Sequence, residues 1–118
     1  MKDAVIANVI RSQIVEDYLD FFENKDVDSV AELFSDDCSI RDWSMDTICG
    51  KEKVVSFFSN IFDSVGEIDV NITHIHEDFS GVLTCEMILS INGEQTFVAD
   101  IFEFDEEDRI KALRAYKG

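Results

Sequence analysis

Phe34-Ser35-Asp36-Asp37-Cys38-Ser39-Ile40-Arg41-Asp42-Trp43 reads as the end of an amphipathic helix, a two-aspartate turn and then a short strand. Alternate residues of a strand share a face. Cys38, Ile40 and Asp42 therefore point one way, and Ser39, Arg41 and Trp43 the other. Cys38 and Ile40 belong in an interior, and Asp42 goes with them. A carboxyl aimed at apolar surroundings is costly unless it is paired, protonated or put to use. Asp42 is therefore the first place to look for function.

Upstream, the chain from about Asp3 to Glu23 has no Gly and no Pro. Val15, Tyr18, Leu19 and Phe22 fall at i, i+3, i+4 and i+7, with Ile10, Ile14 and Phe21 widening the stripe, and the spacing predicts a helix. Glu16, Asp17, Asp20 and Glu23 take its other side. Tyr18 is the one member of the central stripe with a polar tip. A core tyrosine that finds a convenient acceptor and a functional phenol both fit that position. Asn24-Lys25-Asp26 breaks the helix, and Asp26 is placed to cap a second one. That second helix runs to about Phe34, with Val27, Val30, Ala31 and Phe34 on one face.

Downstream, Ser44 to Cys49 reads as irregular, and Gly50-Lys51-Glu52 opens a third helix with the stripe Val54, Phe57, Phe58, Ile61 and Phe62, ending near Ser64-Val65-Gly66. From Glu67 the period changes to two, the mark of strands. A first strand near Ile68–Glu77 sets Ile68, Val70, Ile72, His74 and His76 on one face. After the turn Asp78-Phe79-Ser80-Gly81, the next strand alternates Leu83, Cys85, Met87, Leu89 and Ile91 against Thr84, Glu86, Ile88 and Ser90. Asn92-Gly93 is a hairpin signal, because both positions accept the positive φ that a type I′ turn requires. The following strand places Phe97, Ala99 and Ile101 on one face and Thr96, Val98, Asp100, Phe102 and Phe104 on the other. An acidic, solvated turn at Asp105-Glu106-Glu107-Asp108 leads to a last strand, Arg109–Tyr116. Three helices followed by an antiparallel meander make an α+β domain. Nothing in the pattern marks a repeat, a linker or a second domain, so residues 1–118 are read as one unit.

Composition narrows the function classes. The 118 residues are 46% hydrophobic with ten Phe, enough for one core. Ten Lys and Arg against 26 Asp and Glu give a formal charge of −16. Such a field repels phosphate backbones and anionic lipid, which argues against nucleic-acid and membrane-surface roles. Cys38, Cys49 and Cys85 are an odd number without C-x-x-C spacing, read as reduced thiols, two of them buried, and not as a disulfide frame or zinc site. Met1 to Ile6 lacks the apolar run of a signal peptide, and no stretch approaches the roughly 20 apolar residues of a membrane span. A cytoplasmic location is the expectation.

The order of elements resembles the NTF2-like superfamily and, within it, the SnoaL-like and ketosteroid isomerase-like branch. The resemblance runs from about Val15 to Gly118. Its telling pieces are Val15-Glu16-Asp17-Tyr18, the run from Asp26 to Asp37, Gly50, Thr96-Phe97-Val98-Ala99 and Arg114-Ala115. It implies a cone-shaped barrel of three N-terminal helices packed on a curved antiparallel sheet, with a pocket for an apolar small molecule. Carried over by position, the isomerase tyrosine falls on Tyr18 and the general-base aspartate on Asp42. The second carboxylic acid of that pattern falls on Phe102. Asp100, two residues earlier on the same face, stands roughly 6–7 Å along the strand. The base is normally followed by proline, and here Trp43 follows.

The implied chemistry is proton removal next to a carbonyl, with Asp42 as base and Tyr18 donating to the developing oxyanion. Asp100 is a third catalytic candidate, and Val98, Phe102, Phe58, His74 and Trp43 are candidate ligand contacts. Two alternatives stand beside this reading. One is a dehydratase or cyclase pairing Asp42 with His74 or His76. The other is a non-catalytic binding or dimerisation module. His74-x-His76 has no assured third ligand, so neither a metal nor any other cofactor is expected. Phe97, Ala99 and Ile101 would suit a two-fold interface on the outer sheet face. Arg109, Lys111 and Arg114 would pair with acidic neighbours across the sheet or across that dimer.

Overall fold

A computed structural model describes the chain from residue 2 to residue 118, with side chains described from residue 8 onward. Helix α1 (Lys2–Glu23) follows from the unbroken helical period and buries Val15, Tyr18 and Leu19. Ile10, expected to widen that stripe, is 44% exposed. Helix α2 (Val27–Glu32) starts where the Asp26 side chain accepts from the Ser29 backbone N–H at 3.2 Å.

The expected continuation of α2 to Phe34 does not occur. The Leu33 carbonyl accepts from the Ile110 N–H at 2.9 Å, and Phe34 already belongs to strand β1 (Phe34–Asp42). Pairing with the last strand overrides the helical spacing of Val30, Ala31 and Phe34. The two aspartates still leave the ladder. Phe34 pairs with Ile110 and Ser39 with Ala112, so five steps along β1 match two along its partner. The surplus lifts Asp36 and Asp37 into solvent. Ser44–Cys49, expected to be irregular, contributes strand β2 (Met45–Cys49), which pairs back on β1.

Helix α3 (Lys51–Ser64) buries Val54, Phe58 and Phe62. The four remaining strands are β3 (Ile68–Glu77), β4 (Leu83–Ile91), β5 (Glu94–Phe104) and β6 (Ile110–Lys117). All six form one sheet in the order β2-β1-β6-β5-β4-β3, in which β1 and β6 run parallel and the other pairs antiparallel. The helices pack on one face of this curved, unclosed sheet. Asn92 (φ 53°) and Gly93 (φ 84°) form the β4–β5 hairpin turn that the sequence signals.

The core is aromatic. The Phe58 ring lies 5.9 Å from Tyr18, 5.7 Å from Phe34, 5.4 Å from Phe57 and 6.0 Å from Phe62, joining α1, α3 and β1. Arg11 fastens α1 to the far turns. Its guanidinium donates to Asp108 at 2.8 Å, to the Gly81 carbonyl at 3.2 Å and to the Asp105 carbonyl at 3.2 Å, and lies 5.2 Å from the Phe104 ring centre. Gly81 has φ 84°, where a side chain is strained, and a Cβ there would sit 2.1 Å from Arg11 Nη1, so a larger residue would displace the guanidinium. Two of the three cysteines, Cys38 and Cys85, are buried, as expected, and Cys49 is exposed. Among the described residues no helix is long and apolar enough to cross a membrane.

Candidate functional site

Between the helices and the sheet the packing leaves a cavity of about 140 Å³. Tyr18, Leu19 and Phe22 of α1 and Phe57, Phe58 and Ile61 of α3 form one wall. The sheet side carries Met87, Leu89 and Ile91 from β4, Val98 and Asp100 from β5, and Leu113 and Ala115 from β6. Ile40, Asp42 and Trp43 complete the lining. Among the described residues no Lys, Arg or His lines it; the polar side chains described there are Tyr18, Asp42 and Asp100, with the Trp43 indole N–H.

Sheet register brings the two carboxyls to this cavity. Cys85 pairs with Asp100, and Asp100 with Ala115. On the other side of β6, Arg41 pairs with Arg114, which puts Asp42 beside Ala115. Asp100 and Asp42 thus flank one alanine, about 10 Å apart at two strand spacings.

Their environments differ. Asp100 is 6% exposed, and burial pushes its carboxyl up to about 7. Among the described residues no hydrogen bond or counter-charge offsets that burial. Among the described residues no fully sealed side-chain oxygen or nitrogen lacks a partner, so the carboxyl opens on the cavity. Tyr18 is 3% exposed. Burial raises its hydroxyl pKa well above the usual value, and the nearby Asp100 charge adds to the effect. It therefore stays a neutral phenol throughout the physiological range. The Cys85 thiol is pushed up to about 12, mainly by burial, with Asp100 the next cause. At that value it is an inert thiol, not a nucleophile.

Asp42 does reach the cavity, but it is only half-buried. Its Oδ1 accepts from the Ser44 N–H at 2.8 Å and from the Ser44 hydroxyl at 2.7 Å, which closes the turn between β1 and β2. Trp43 stands beside it at the mouth, 48% exposed. The deeply buried carboxyl of the site is thus Asp100, although strand alternation turns both Asp42 and Asp100 inward.

Of the candidate ligand contacts, Val98 and Phe58 line the cavity. Phe102 does not. It is fully buried behind the wall, edge-on to Tyr18 at 5.5 Å. His74 is excluded more clearly. Ile72 pairs with Met87 but His74 with Glu86, so β3 carries one extra residue, Thr73. This bulge inverts the alternation. Ile75 takes the inner position opposite Cys85, while His74 and His76 turn to the outer face. There the rings stack at 5.8 Å, and His76 Nε2 meets the Glu86 carboxyl. Both histidines are remote from Asp42's cavity, which removes the His–Asp dehydratase pairing. Among the described residues no group of three or more His, Cys, Asp or Glu is placed to hold a metal ion. The walls from Met87, Leu89, Leu113 and Ala115 were not singled out as site residues, though the inner alternation of β4 and β6 carries that signal.

Comparison with known proteins agrees with this architecture. No functionally curated protein matches the chain. An epoxide hydrolase/cyclase-like enzyme, SalBIII, described in pyran ring formation in the polyether salinomycin, is similar with a TM-score of 0.79 and 19% identity, over 92% of this chain and 90% of that one. An M. tuberculosis LEH-like epoxide hydrolase is similar with a TM-score of 0.75 and 26% identity, over 90% and 80% respectively. An NTF2-like protein of unknown function from Cytophaga hutchinsonii gives a TM-score of 0.76 at 9% identity, over 92% and 89%. The SnoaL-like domain model matches residues 15–113, the span that contains every residue lining the cavity except Ala115, and the chain belongs to that SnoaL-like family on the NTF2-like fold.

Proposed function

We propose that this protein is an acid–base enzyme acting on a small, apolar molecule, with Asp100 as the group that gives and takes the proton. The observation that carries this reading is a buried carboxyl, raised to about 7, opening on an apolar cavity beside a neutral phenol. An acid poised near the working pH is present in both protonation states and serves either direction of transfer. Tyr18 donates its O–H to the substrate oxygen where negative charge develops. Asp42, at the mouth, is the second carboxyl and the base that the isomerase pattern implies. With Phe102 in place of the pattern's second acid, the geometry favours Asp100 for the central role. Two substrate chemistries follow from the resemblance and the similar structures: proton removal next to a carbonyl, and proton transfer at a ring oxygen.

The test is a carbon-13 titration of the Asp100 carboxyl, followed by incubation with small ketones and epoxides in deuterated buffer. A midpoint near 7, with exchange or ring opening lost in Asp100→Asn, supports the reading. A midpoint in the ordinary aspartate range, or turnover that is the same in Asp100→Asn, overturns it.

The outer sheet face supports a second copy of this chain as partner. Phe97 is 67% exposed and Tyr116 43% exposed, and Ala99 pairs with Tyr116 across the β5–β6 ladder. Arg114 pairs with Glu103, and Arg41 lies over the Tyr116 ring at 5.5 Å. On a chain of charge −16, this locally balanced, aromatic face is where two copies meet with least repulsion. Sedimentation of Phe97→Glu against wild type tests it: a dimer that becomes a monomer supports the interface, and a monomer in both overturns it.

A further inference from the structure

Among the described residues the cavity is lined by two carboxyls, a phenol and aromatic rings, and by no basic side chain. That combination suits positive charge better than negative charge. A carboxylate or phosphate substrate would meet no cation in the lining and would approach through the field of a chain carrying −16. A cation meets the opposite conditions at each of these points. The aromatic walls carry negative ring faces, and Trp43, Tyr18, Phe22, Phe57 and Phe58 all border the space. Asp100 sits among them without a counter-charge from the described residues.

We infer that the cavity takes a small organic amine in its ammonium form, with the Asp100 carboxylate as counter-ion, the Tyr18 hydroxyl oxygen as a second acceptor and the aromatic walls around the apolar body. Size sets the class. A cavity of about 140 Å³ matches the roughly 150 Å³ that accommodates a benzene-sized molecule, so the body is one ring or its aliphatic equivalent. The inference rests on Asp100 being the proton-active group of the site and specifies what that group meets.

Proton bookkeeping makes it testable. In the empty cavity Asp100 is about half protonated near pH 7. An arriving ammonium stabilises the carboxylate, and the carboxyl proton passes to solvent, leaving a neutral ion pair where there had been a neutral acid. The titratable groups facing Asp100 are Tyr18 from α1, Cys85 from β4 and Asp42 from β1. Its β6 neighbour, Ala115, does not titrate.

The experiment is calorimetric titration of the full chain with benzylamine, benzyl alcohol and benzoate, in two buffers of different ionisation enthalpy and at 0.15 M and 0.5 M salt. At pH 8 the expected result is benzylamine at least tenfold tighter than benzyl alcohol, with benzoate unbound. At pH 7 benzylamine should release about half a proton. Asp100→Asn should bring benzylamine down to the level of the alcohol and abolish proton release. Retained alcohol binding then shows that the variant still has its pocket, and Asp100→Glu serves as the second variant, retaining part of the preference. Equal affinity for amine and alcohol, no amine binding at millimolar concentration, a preference that survives in Asp100→Asn, or one that vanishes at 0.5 M salt would each overturn the inference. An Asp100 midpoint still near 7 in that case leaves the acid–base reading standing, whereas an ordinary midpoint overturns both.

Discussion

Asp100 and Glu86 lie on adjacent strands and face opposite sides of one sheet. Asp100 points inward, meets no partner, and burial raises it to about 7. Glu86 points outward into solvent beside two stacked histidines, and the hydrogen bond from His76 is the main reason its carboxyl pKa is lowered. The same functional group is pushed in opposite directions by the side of the sheet on which it falls. Inside, desolvation dominates because the carboxyl is 6% exposed and borders apolar walls. Outside, the hydrogen-bonded neighbour outweighs the smaller desolvation of a half-exposed carboxyl. The inner face therefore prepares a proton-active group, while the outer face offers local pairs and two exposed aromatic rings.

The largest break in this comparison comes from two phenylalanines five residues apart on β5. Phe102 is fully buried on the inner face and Phe97 is 67% exposed on the outer one. Phe102→Ala should cost about 3–5 kcal/mol in urea unfolding, through lost burial and the void left beside Tyr18. Phe97→Ala, measured at concentrations where the protein is monomeric, should stay within about 0.5 kcal/mol. Similar losses from both would mean that the two faces are not distinguished by burial as described.

Next in size is the pH response of Asp100. Its carboxyl ionises less readily folded than unfolded, so its contribution to stability is fully present in acid below the ordinary aspartate value. It declines as pH rises towards about 7 and stays lost above that. Asp100→Asn removes this slope. The variant should match wild type near pH 4 and exceed it at pH 8 by up to about 4 kcal/mol, the free energy of the whole displacement. Urea unfolding at the two pH values reads the difference directly. A gap that fails to widen from pH 4 to pH 8 would contradict the burial of Asp100.

The smallest expected effect lies outside. His76→Gln should return the Glu86 titration towards the ordinary glutamate range in a carbon-13 experiment, since the hydrogen bond from His76 is the first cause of its displacement. Glu86 titrates low when folded, so its contribution is present above the unfolded value and lost as pH falls through the folded one. Asp100 in the same variant should titrate unchanged. A coupled shift at Asp100 would mean that the two faces communicate through β4 and β5.

Much of the architecture was legible in local patterns. The stripe Val15, Tyr18, Leu19 and Phe22 placed the tyrosine in the interior, and Asn92-Gly93 marked its hairpin. The alternation Val98, Asp100, Phe102 put a carboxyl on an apolar face of β5. The resemblance carried by Val15-Glu16-Asp17-Tyr18, the Asp26–Asp37 run, Gly50, Thr96-Phe97-Val98-Ala99 and Arg114-Ala115 led to the family. These readings succeed because helical and strand periods are local properties of the chain.

What the sequence could not determine depends on register between strands distant in the chain. One extra residue, Thr73, turns His74 and His76 away from the cavity, and no local pattern marks it, because a bulge is set by the pairing of Ile72 with Met87 and of His74 with Glu86. Phe34 leaves the helical period because Ile110, far along the chain, takes the neighbouring hydrogen bond. The ranking of Asp42 and Asp100 was decided the same way. Strand alternation gives both an inward face, but only the depth at which β1 and β5 meet the helices leaves Asp42 hydrogen-bonded to Ser44 at the mouth and Asp100 unpaired within. Period determines which side a residue faces, and the tertiary structure alone sets how far that side lies from water.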